Sequence, residues 1–117
     1  MQSLESFSAV YLHRDPVDMR KSINGLSMIV LDDLSMSFEK GRLFVFVSRS
    51  GKKLKLLYWD RTGFALWYKR LEKQRFYWPK SHDEAVIMGT ADQLQRLLGG
   101  FDVFQKPHVF LQYRQIS

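Results

Sequence analysis

The chain of 117 residues contains no cysteine. That absence removes disulfides, thiolate metal sites and a cysteine nucleophile together. Its three histidines, His13, His82 and His108, have no second ligand at metal spacing, so no metal or other cofactor is expected. No apolar run approaches the roughly 20 residues that cross a bilayer. The start, Met-Gln-Ser-Leu-Glu-Ser-Phe, has neither the basic head nor the apolar stretch of a secretory signal. A soluble, cytoplasmic protein with no membrane partner is expected, and the length suits one domain, 1–117, with a real core.

Carboxylates are scarce in one long stretch. Between Lys40 and Lys80 only Asp60 and Glu72 oppose twelve of the chain's eighteen lysines and arginines. The same stretch holds ten of the seventeen aromatic residues. Overall the net charge is +6 and the isoelectric point about 9.7, which favours an anionic partner. Fixed cations attract phosphates and exposed rings stack on unpaired bases, so a surface bearing both is a candidate for nucleic acid, DNA in the first place.

Periodicity predicts an α+β fold. Residues 9–14 alternate as a short strand. Asp15 and Pro16 resemble a helix cap and first helical position, with Asp18 in the first turn. From there Met19, Ile23, Leu26, Ile29 or Val30, and Leu34 recur at helical spacing, predicting one longer helix near 16–33. Gly25 interrupts it, and close packing is the expected reason. Leu43 to Val47, Leu54 to Trp59 and Phe64 to Arg70 read as strands joined by turns at 48–52 and 60–63, with a further short strand at Arg75 to Trp78. The regular turns predict an antiparallel sheet of about four strands. Residues 80–89 read as a loop, and Thr90 caps a short helix near 90–98 that Gly99 and Gly100 end.

Period-two alternation puts Lys55 and Trp59 on the same face of their strand, and likewise Trp67 and Lys69 on the same face of theirs. Two readings stay open. Either the tryptophans form core and the lysines reach past them to water, or a face is an aromatic and basic platform. On the second reading Lys52, Lys53, Lys55, Arg61, Lys69, Arg70 and Arg75 contact phosphates, with Trp59, Trp67 or Trp78 as stacking groups. Catalysis has little support. Ser48 and Ser50 match no nucleophile elbow. Arg49 to Lys53 lacks the phosphate-loop pattern and leads into a strand. Asp18, Asp60 and Asp83 each have a local explanation rather than a shared metal.

Two stretches together resemble a known family. Asp18-Met19-Arg20-Lys21, with Gly25-Leu26, is similar to a signature of the second-open-reading-frame protein, often called TnpB, of the insertion-sequence-66 group of bacterial transposable elements. Leu43 to Phe46, Leu54 to Asp60, Gly63-Phe64, Tyr68 to Glu72 and Phe76 to Pro79 match the rest of its core. The resemblance covers roughly 9–103, leaving 104–117 as an extension. Val17 stands where members carry a small polar cap residue, a role then left to Asp15. The resemblance implies a non-catalytic accessory protein of transposition that accompanies a separate, larger transposase carrying the catalytic acids. Docking on that transposase, with the aromatic residues as interface anchors, is the alternative to nucleic-acid binding. For Asp18 to Lys21 the choice is between a capped helix start with Met19 packed inward and a contact from Arg20 and Lys21 to a phosphate or the transposase.

Overall fold

The computed structural model describes residues 3–79 and 83–101. Lys80, His82, His108 and the extension 104–117 lie outside the described residues. The fold is α+β, built on five strands: β1 (Ala9–His13), β2 (Arg42–Val47), β3 (Lys53–Asp60), β4 (Gly63–Arg70) and β5 (Val86–Gly89), in the spatial order β4-β3-β2-β1-β5.

The middle of the sheet follows from its residues. Leu43 to Val47 are all buried, and β-branched or aromatic side chains on both faces suit a central strand covered on both sides. β2 pairs antiparallel with β3 from Leu43↔Tyr58 to Val47↔Leu54, and β3 with β4 from Lys53↔Arg70 to Asp60↔Gly63. The turn between β2 and β3 uses Gly51 at φ 77°, a left-handed conformation that glycine adopts without strain.

Three features differ from the sequence expectation. The sheet is mixed and has five strands, because β1 runs parallel to β2. A parallel pair needs a crossover, and residues 14–41 supply it, carrying α1 (Ile23–Met28) over one face. Residues 80–89 are not wholly loop: Val86–Gly89 pairs antiparallel with β1 as the outer strand β5. Residues 75–78 form no strand. Phe76 instead donates its N–H to Gly51 O (2.7 Å) and buries its ring in the core.

The first helix is also shorter than 16–33. Ser22 is its N-cap, and after Met28 the chain widens into a π turn over Ile29–Asp33, with Leu34 N–H donating to Ile29 O five residues back. Residues 16–22 stay outside the helix because the sheet claims Val17, whose N–H donates to Val47 O (2.9 Å) and which bridges to Ser48. Asp15 is therefore no cap; its carboxylate pairs with Arg14 (3.0 Å). The second helix, α2 (Ala91–Leu98), has the expected Thr90 cap, reinforced by Gln93 in a reciprocal capping box.

Each sheet face has its own core. On one, Val10, Leu12, Leu43, Val45, Leu54, Leu56 and Tyr58 pack with Phe76, Leu94 and Leu97 under α2 and residues 71–79. On the other, Tyr11, Phe44, Phe46 and Leu57 meet Leu26, Ile29 and Val30 from α1 and its π turn.

Candidate nucleic-acid interface

The strand register assigns every candidate residue to a face. Lys53, Lys55, Leu57 and Trp59 of β3 share the α1 face with Phe64, Leu66, Tyr68 and Arg70 of β4. Trp67 and Lys69 lie on the α2 face. The seven cations and three tryptophans predicted to act together therefore separate into groups.

Four of them are engaged inside the fold. Trp67 packs half-buried against the core of the α2 face. Trp78 does the same, and its Nε1–H donates to the carbonyls of His13 (3.1 Å) and Arg14 (3.0 Å). Lys69 Nζ donates to Leu98 O (2.9 Å), tying β4 to the end of α2. Lys55 Nζ donates to Met19 O (2.7 Å) and Lys21 O (2.8 Å), so a strand lysine fixes the backbone of the motif segment. The two tryptophans pack as the core reading has them, whereas the two lysines bond backbone carbonyls instead of reaching past the rings to water.

A second group stands at the turn of the β3–β4 hairpin. Trp59 is 42 % exposed, donates Nε1–H to Arg61 O (3.2 Å) and meets Phe64 edge-on. Arg61 itself has φ 49°, in the tight turn. Trp59 lies six steps along the strand from Lys53, about 20 Å, so this end is remote from that lysine. Lys52 and Arg75 are exposed near the other turn, Arg75 lying against Gly51.

The remaining residues converge. Val17, Asp18, Met19 and Arg20 from the motif, Ser48, Arg49 and Ser50 from the β2–β3 turn, and Lys53, Lys55 and Tyr68 from the sheet line an open cleft of about 800 Å³. Four cations stand here against one carboxylate. That carboxylate, Asp18, accepts from the Arg20 guanidinium (2.6 Å) and the Arg20 backbone N–H (2.9 Å). Both donors favour its charged form and hold it well below the usual carboxylate range. Met19 packs inward, as the first reading of the motif has it, but in a turn before the helix that Lys21 N–H closes on Asp18 O (3.0 Å). Gly25 sits where a side chain would meet Lys21 Cβ at 3.1 Å, so close packing is indeed its local reason. Leu26 is fully buried in the core beneath α1.

The turn that carries Arg49 is braced. Ser48 Oγ accepts from Lys53 N–H (3.1 Å) and meets Ser50 Oγ (3.1 Å), while Ser48 N–H donates to Lys53 O (2.9 Å). Arg49 and Lys53 have no acidic partner among the described residues, whereas Arg70 pairs with Glu72 (2.9 Å). Tyr68, directly opposite Lys55 in the register, is 48 % exposed. Arg49 and Tyr68 were absent from the sequence-based set of contacts. Their signal was available: Arg49 follows the strand that ends beside Lys53, and alternation puts Tyr68 on the Lys55 side.

Among the described residues, no three or more His, Asp or Glu side chains gather as a metal site, and no helix is long and apolar enough to cross a membrane.

The family model described as "IS66 Orf2 like protein" matches residues 8–108. Two proteins of Sinorhizobium fredii are similar, both named as uncharacterized. One, y4hO, is 38 % identical over 93 residues, covering 80 % of each chain. The other, y4jC, is 34 % identical over 87 residues, covering 74 % of each. No solved structure matches this chain.

Proposed function

The chain belongs to the IS66 Orf2-like family, and on that premise we propose that it is an accessory protein of insertion-sequence transposition that binds nucleic acid at the cleft. The catalytic acids belong, on this reading, to a separate transposase. The observation that carries it is the convergence of Arg20, from the motif, with Arg49, Lys53 and Lys55, from the β2–β3 hairpin, around one open depression. Separate segments gather like charges, at a cost in mutual repulsion, where an anion offsets it. Arg49 and Lys53 are the leading phosphate contacts, since neither is consumed by an internal ion pair. Lys55 holds the motif segment in place rather than reaching outward.

The test is fluorescence anisotropy of labelled DNA from the element's ends, titrated with the protein over a salt series. Wild type is expected to show saturable binding with a steep negative slope of log affinity against log salt. Replacing both Arg49 and Lys53 by Gln removes two phosphate contacts and flattens that slope by about 1.4–1.8. An unchanged slope and affinity in the double variant overturns the reading.

One observation favours docking on the transposase as a second reading. Met28 and Leu31 project from the outer surface of α1 and its π turn, 54 % and 46 % exposed, three residues apart and so on one side. Copurification of the transposase with this protein after nuclease treatment supports docking; loss of the complex with the nucleic acid counts against it.

A further inference from the structure

We propose that the cleft takes an unpaired nucleotide of a polynucleotide strand, its base stacked on Tyr68 and its phosphates held by Arg49 and Lys53. This rests on the nucleic-acid reading and narrows it from nucleic acid in general to an unpaired strand.

Three observations support the narrowing. The first is size: about 800 Å³ lies within the roughly 300–1,000 Å³ of sites that hold single small molecules, so one nucleotide fits as a unit. The second is the ring. Tyr68 is the aromatic residue among those lining the cleft, half-exposed on a strand whose other side is fixed to β3. A flat ring ringed by cations suits a base face with its phosphate close by, and a base in a duplex has both faces already occupied by its neighbours. The other exposed rings among the described residues lack this setting: Phe101 lies by Gly99 at the end of α2, outside the cleft. Trp59 stands at the distant hairpin turn, and Tyr77 lines a separate groove formed by residues 74–78.

The third observation is what the helix on the cleft's side of the sheet lacks; α2, with Gln95 and Arg96 exposed, lies on the opposite face. A duplex reader places a helix in the major groove, with cationic side chains toward the flanking phosphates. The outward positions of α1 and its π turn are Asn24, Met28, Leu31, Asp32 and Asp33, without a lysine or arginine. Asp32 and Asp33 would face phosphates with like charge. The cations are instead on a turn and a strand, around a concave surface.

Anisotropy of a short labelled oligo-dT strand, against a duplex of equal length, tests the inference on the intact protein. Wild type is expected to prefer the strand. Tyr68→Ala loses about 5- to 150-fold in strand affinity, the range for one base–ring stack, with duplex affinity unchanged. Tyr68→Leu, which keeps apolar bulk without a flat ring, loses as much, and Tyr68→Phe retains binding. The Leu and Phe variants keep the test sharp should the Ala variant fold poorly.

If Tyr68→Ala and Tyr68→Leu leave strand affinity unchanged, or lower strand and duplex alike, the inference is overturned. The parent reading is judged separately by the Arg49 and Lys53 double variant. Binding weakened on both substrates by the double variant, with no selective effect at Tyr68, keeps the parent reading and removes this one. Binding untouched by either set removes both.

Discussion

On the α2 side of the β3–β4 hairpin, Trp67 and Lys69 lie against the core and the end of α2. On the α1 side of the same hairpin, Tyr68 and Lys53 stand beside an open cleft. Both faces alternate lysine with a large ring, so strand sequence does not decide which becomes surface. The covering elements decide it. α2 and residues 71–79 extend over the lysine-bearing end of their face. α1 starts only at Ile23, and the segment before it is held along the rim by the Val17 bridge and by Lys55.

The sharpest way to break this comparison is to remove core from each face in turn. Leu56 and Leu57 are adjacent, fully buried and on opposite faces. Leu56→Ala and Leu57→Ala should each cost about 2–5 kcal/mol in urea unfolding. A near-neutral Leu57→Ala would mean that α1 does not pack as a second core.

A middle-sized effect separates tied lysines from the open one. Lys69→Met and Lys55→Met each remove a charged donor from backbone carbonyls and should cost about 1–2 kcal/mol. Lys53→Met should stay within about 0.5 kcal/mol of wild type. For nucleic acid the ranking inverts, with Lys53→Met flattening the salt slope and Lys69→Met leaving it alone. Equal stability of all three variants would erase the distinction between the faces.

The smallest effect concerns pH. Because Arg20 holds the folded Asp18 carboxyl below its ordinary value, the pair favours the fold above the unfolded carboxyl's pKa, near pH 4. That contribution fades as pH falls further, toward the folded value. Both groups are exposed at the surface, so neutral-pH stability should barely change in Arg20→Ala. The Asp18 carboxyl titration, followed by NMR, should move upward toward the ordinary aspartate range in that variant. An unmoved midpoint would show that Arg20 is not its partner in solution.

Local rules made much of the fold readable. β2, β3 and β4 follow from short runs of aliphatic and aromatic residues between turn residues, and α2 from Thr90, its leucines and Gly99. The misread parts are where distant pairing overrides a local pattern. Asp15-Pro16 has the composition of a helix start, yet Val17 pairs with a strand end thirty residues on. Val86–Gly89 is too short to announce itself and becomes a strand because β1 offers a free side. The cleft was half legible: charge and alternation identified Lys53 and Lys55, but nothing local says that the motif at 18–20 meets the turn at 48–50. That meeting follows from the β1–α1–β2 crossover.

The position of β1 also orders events during synthesis. It lies between β2, which follows soon after it in the chain, and β5, which is made only when residue 89 has been added. Until then one side of β1 presents unpaired N–H and carbonyl groups from Val10 to His13, a ready template for another chain. From the completion of β2 to that of β5 the growing chain therefore carries an open sheet edge, and the last described strand of the sheet is what closes it.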